Sequence, residues 1–183
     1  AEAPAETPAE TGTATDGGAT ASTATDDSDT GGPASPPEPD ADGRDFADDV
    51  QAVIAAYEND DIDLARCRQR IAEAFTYHYD FVFPEAEVRG WPEALYVYNP
   101  DDGIYERRGE RFVEKHLERT AGAWVNNTRK NEVVAKIKRR TIARGERFRT
   151  DPERLVVANG ILDLHTGEKD EFTPQEYHRT KLD

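Results

Sequence analysis

The sequence predicts an α+β domain, mainly helical, with about four helices and two small β-hairpin elements behind an acidic segment that does not fold. Three observations carry this. Composition changes abruptly after residue 43, four later stretches place apolar residues at helical spacing, and two β-rich runs bracket turn-forming residues. Residues 1–43 hold ten Ala, eight Thr, six Pro, six Gly, three Ser, six Asp and four Glu, with no Val, Ile, Leu, aromatic, Lys or Arg. Such a composition buries too little apolar area to offset the entropy of ordering its backbone, so a disordered acidic linker is expected there. Residues 44–183 are long enough for one core, and the domain is expected to continue past 183.

The elements follow in order. In DFADDVQAVIAAYEN (45–59), Phe46, Val50, Val53, Ile54 and Tyr57 share a helical face, and Asp48 and Asp49 occupy the first turn, where the dipole favours anions. Asp60-Asp61 is read as the break that caps a second helix, about 62–78. Leu64, Cys67, Ile71, Ala74, Phe75 and His78 form its apolar stripe, so Cys67 is expected to be a core thiol and His78 a packed ring. The period then changes. Leu95–Tyr98 and Ile104–Glu106 flank Asn99-Pro-Asp-Asp-Gly103, which predicts a hairpin. Residues 109–121 give a third helix with Phe112, Val113, His116 and Leu117 inward. Residues 126–141 give a fourth, capped by Asn126 or Asn127, with Val133, Val134 and Ile137 inward. Leu155–Val157 and Ile161–Leu164 around Asn159-Gly160 predict a second hairpin, followed by a His-Thr-Gly-Glu turn.

Several classes are disfavoured by the same residues. There is no apolar run of 18, hence no membrane span, and no basic-then-apolar start of a signal peptide. One cysteine excludes an internal disulfide and points to a reducing cytoplasm, and the four scattered histidines argue against a zinc site. Acids outnumber bases 38 to 23, and the pI is about 4.7. With Lys so scarce beside Arg, this balance predicts an intracellular protein of a salt-accumulating organism. The chain carries no G-x-x-x-x-G-K-[ST] phosphate loop, and Gly103-Ile104-Tyr105 lacks the partner half of a nuclease signature. Neither a catalytic residue nor a cofactor site is expected within it.

The chemistry it does carry is electrostatic. The tail contributes −10 of the total −15, leaving −5 for residues 44–183. Within that acidic stretch, Arg129 to Arg149 contains nine basic residues and two acids, a local +7. A domain acidic elsewhere but concentrated this way has the polarised field expected for a phosphate backbone. On a helix, Arg129, Lys136 and Arg140 fall within about 40° of one another beside the core stripe, with Lys138 and Arg139 on the other flank and the back. A solvated face paired with neighbouring acids is the plainer alternative. In high salt, phosphate contacts lose affinity steeply, so they must be direct or repeated around an oligomer.

Three stretches in this order, YVYNPDDGIYERRGERFVEKHL (96–117), RKNEVVAKIKRRT (129–141) and LVVANGILDLHTGEKDEFTPQEYHRTKLD (155–183), resemble the region preceding the superfamily III helicase motor in phage, plasmid and poxvirus primase-helicases. The resemblance covers about residues 60–183 and is strongest at VANGILDLHTGE with FTPQEY. It implies a non-catalytic collar that contacts DNA and supports ring assembly, with DNA, the adjoining motor and a homo-hexamer as partners. ATP and Mg would belong to the motor. Arg129, Lys136 and Arg140 would face DNA, with Lys138 and Arg139 as further candidates. Two rivals stay open: a free-standing DNA-binding regulator using helix 126–140 in the major groove, and a protein-interaction module whose basic helix docks an acidic partner or the chain's own acidic tail.

Overall fold

A computed structural model describes residues 45–85, 90–148 and 151–182. The acidic segment 1–43 and Arg149 lie outside the described residues. Among the described residues there are four α-helices: α1 Phe46–Glu58, α2 Leu64–His78, α3 Gly109–Ala121 and α4 Asn127–Arg140. Strands β1 Phe81–Pro84, β2 Tyr96–Asn99, β3 Ile104–Glu106 and β4 Ile142–Ala143 form one sheet in the order β3-β2-β1-β4; β5 Arg154–Val157, β6 Gly160–Asp163 and β7 Lys169–Asp170 form another.

The α+β class and all four helices agree with the sequence reading. Each expected hairpin proves to be part of a larger sheet. β1 pairs antiparallel with β2 and parallel with β4, and β7 extends the second hairpin. The start of α2 is corrected. Its N-cap is Asp63, whose carboxylate accepts from the Arg66 amide at 2.7 Å. Asp60 and Asp61 instead terminate α1, donating to the carbonyls of Tyr57 and Ala56, with Asp60 in the left-handed region at φ 61°. The second hairpin turn is corrected too. Val157 pairs with Gly160, so Ala158-Asn159 is the loop and Gly160 is the first residue of β6. A Cβ there would lie 2.4 Å from the Asp170 carbonyl oxygen of β7, which explains the glycine.

The first sheet separates two apolar layers because strand side chains alternate between faces. Phe81 and Val97 face the helices, joining Phe75, Ile71, Val113, Leu117, Val133 and Ile137 in the main core. Val82, Tyr96 and Tyr105 face the other way, against Trp91, Phe148 and Tyr177. Residues 171–182 run back over this second face as a strap. Tyr105 donates its amide to His178 O (2.7 Å) and its hydroxyl to Pro174 O (2.9 Å), while Lys181 pairs with Asp102 at 2.7 Å. The Arg179 guanidinium lies over both the Trp91 and Tyr96 rings, 5.2 and 5.3 Å from their centroids. Burial pushes the Tyr105 phenol pKa far upward. Arg154, on β5, ties the strap to the second sheet through Glu176 (2.9 Å) and Asp170 (2.6 Å).

Candidate nucleic-acid interface

The helix expected to carry the basic face is α4, and its start follows from local chemistry. Asn126, in extended conformation, accepts from the Arg129 amide at 2.8 Å and caps the first turn. Val133, Val134 and Ile137 anchor it in the core. Three basic residues, Lys138, Arg139 and Arg140, fill its last turn, where they complement the negative end of the helix dipole.

The five expected site residues divide. Arg129 is directed into the fold: its guanidinium donates to Trp124 O at 2.6 Å and lies 5.1 Å from the Trp124 ring and 5.9 Å from that of Tyr57. Lys138 pairs with Glu110 of α3 at 2.6 Å and lies 5.3 Å from the Phe83 ring. Arg140 reaches Glu73 of α2 at 3.3 Å while keeping its side chain 45% exposed. Lys136 is half-buried, Arg139 is exposed, and neither makes an ion pair among the described residues. Lys136, Arg139 and Arg140 therefore form one solvent-facing group. Elsewhere on α4, Lys130 binds Glu118 at 2.7 Å, which holds its pKa above the ordinary lysine value.

Packing adds residues that the sequence reading missed. Arg68 of α2 pairs with Glu132 of α4, and Glu73 of α2 pairs with Arg140 of α4. Both contacts advance along both helices, so α2 and α4 run side by side in the same direction. Arg66 and Arg70 lie one helical turn apart on the exposed side of α2, and Arg70 lines one cleft with Arg140 of α4. Neither makes an ion pair among the described residues. The signal was present as Arg66-Cys-Arg-Gln-Arg70, three arginines in five residues, but a charge count along one contiguous run does not register it.

Other singled-out groups are structural. Cys67 is fully buried, which pushes its thiol pKa up despite the nearby Arg129 and Arg68. His78 packs against the Phe46 and Tyr77 rings and lies 2.8 Å from an Asp49 oxygen. Asn159 serves the β5–β6 loop. Among the described residues no group of three or more His, Cys, Asp or Glu is placed to hold a metal ion, and no helix is long and apolar enough to cross a membrane.

The exposed cations of this small α+β domain include Arg66, Arg70, Arg139 and Arg140 on the parallel helices α2 and α4, and Arg111, Lys115 and Arg119 on α3. Comparison with known families identifies the domain. The family described as "D5 N terminal like" matches residues 44–183, and the chain belongs to it. That family is the region preceding the superfamily III helicase in primase-helicase proteins. Comparison with curated proteins gives no match.

Proposed function

We propose that this chain is the non-catalytic collar of a DNA primase-helicase, contacting DNA through the α2–α4 face and supporting ring assembly of an adjoining ATP- and Mg-dependent motor. One observation supports the DNA contact above the others: Arg66, Arg70, Lys136 and Arg139 lie on neighbouring parallel helices without ion-pair partners among the described residues, in a matched region that is acidic overall. Cations already committed to carboxylates gain little from a phosphate, whereas uncommitted ones release counterions from DNA on binding. Among the earlier candidates, Lys136 and Arg139 fit this role, and Arg140, paired with Glu73 but 45% exposed, lies beside them. Arg129 and Lys138 act as tethers to α1 and α3. A collar of this kind contacts the backbone without reading sequence, and repetition around a homo-hexamer offsets salt screening.

The test is a Lys136→Gln/Arg139→Gln/Arg140→Gln variant of the full chain, titrated against labelled DNA at several salt concentrations. Affinity should fall equally for unrelated sequences. The slope of log K against log salt should flatten by about two to three, at roughly 0.7 to 0.9 per lost phosphate contact. An unchanged slope in a folded variant would reject the face. A wild-type preference for one duplex by about 10³-fold would favour the free-standing regulator instead.

A further inference from the structure

Beside the α2–α4 face lies an open cleft of about 680 Å³ between α1 and α2. Its floor is apolar, from Ala52, Val53 and Ala74, and Tyr77 stands in it 59% exposed, one of four large apolar side chains left to solvent among the described residues. Arg70 and Arg140 line the same cleft. Its two acids are already matched. Asp49 lies 2.8 Å from His78 Nε2, and Glu73 accepts from Gln69 Nε2 (3.1 Å) and Arg140 Nη1 (3.3 Å). What remains is the Arg70 guanidinium, with no ion pair among the described residues, and the solvent-exposed part of the Tyr77 ring beyond its T-shaped contact with His78 at 5.1 Å.

A cation for a phosphate beside an aromatic ring for a base is the pairing that single strands require and that a closed duplex cannot use, because its bases are already stacked. We infer that this cleft takes an unpaired nucleotide of a single DNA strand, its base stacked on Tyr77 and its phosphate held by Arg70, with Arg140 at the rim. This rests on the α2–α4 face being the DNA-contacting surface, since the strand would arrive along Lys136, Arg139 and Arg140. It adds a preference for single-stranded or forked DNA.

The experiment compares wild-type full chain with Tyr77→Leu and Tyr77→Phe, using fluorescence anisotropy on a labelled oligo-dT strand and on a duplex of equal length. Stacking on one base is worth about 5- to 150-fold in affinity. Tyr77→Leu should lose that factor on oligo-dT and little on duplex, while Tyr77→Phe keeps it. Matching thermal denaturation establishes that the exposed substitution leaves the fold intact. Cross-linking of a 5-iodouracil strand should map to the peptide containing Tyr77. Wild-type binding of oligo-dT by Tyr77→Leu, an equal loss on duplex, or an equal loss in Tyr77→Phe each overturns the cleft. If the triple glutamine variant still weakens binding, only the cleft fails; if that variant is also unaffected, the DNA-contacting face fails with it.

Discussion

Gly103 sits where the β2–β3 loop meets the strap, and replacing it with alanine probes how firmly the strap is held. Its backbone is left-handed, φ +68°, and its amide donates to Asn99 O at 2.8 Å. A Cβ there would lie 2.2 Å from Cδ1 and 2.6 Å from Cγ of the Phe172 ring. The conformation alone costs an L residue about 1–2 kcal/mol, and forcing a methyl into occupied space adds about 1–3 kcal/mol. Gly167→Ala is the control: φ is +74°, yet nothing lies within 4 Å of the added Cβ, so only the conformational cost applies. Urea denaturation should therefore show Gly103→Ala less stable than Gly167→Ala by about 1–3 kcal/mol. In a Phe172→Ala background the excess should largely disappear, a coupling that a double-mutant cycle measures. Equal destabilisation by the two glycine substitutions, or an excess that survives without the Phe172 ring, would refute the account of the strap as packed on this loop.

Two further outcomes follow from other contacts. Arg129→Gln should leave the salt dependence of DNA binding unaltered while lowering the denaturation midpoint, because it removes a hydrogen bond to Trp124 O and two ring contacts, about 1–3 kcal/mol together; a flattened salt slope would return it to the DNA face. His116 is stacked on Phe112 at 4.0 Å, and burial holds its pKa below the ordinary value of 6.5. The unfolded chain then binds a proton first as pH falls, so stability at this site is intact above about pH 6.5 and declines as pH drops toward the lowered folded value. His116→Gln should remove that part of the acid sensitivity in urea titrations at pH 7.5 and 5.5, and an unchanged pH dependence would contradict the burial argument.

The helices were legible in the sequence because each buries one stripe, and a 3.6-residue period survives in the order of residues. β1 was not, because Phe81-Val-Phe-Pro84 is apolar on both faces, lying between two cores, and so shows no alternation. β4 has two residues and no period to detect. Asp60-Asp61 resembled a helix start, but only the fold shows those amides closing the preceding helix. The candidate site was half legible for a related reason. Charge on α4 was visible as a local run, whereas Arg66, Arg70 and Tyr77 gain meaning only once α2 lies parallel to α4. Likewise, the inward turn of Arg129 depends on Trp124 and Tyr57 meeting at the start of α4, a contact that no spacing rule encodes.

The strap also settles the fate of an open strand. β3 is the end strand of its sheet, and unpaired end strands are templates for other chains. The Tyr105 amide that would otherwise point outward is occupied by His178 O, with Arg179 and Tyr177 laid over the aromatic residues beneath. At the opposite end, β4 is only two residues long and is followed by exposed Arg144, a poor template on both counts. Solubility of this fold at high protein concentration therefore depends on the last dozen described residues. A version ending near residue 170 would expose both the Tyr105 edge and the Trp91–Tyr96–Phe148 cluster together, a surface suited to intermolecular β-pairing.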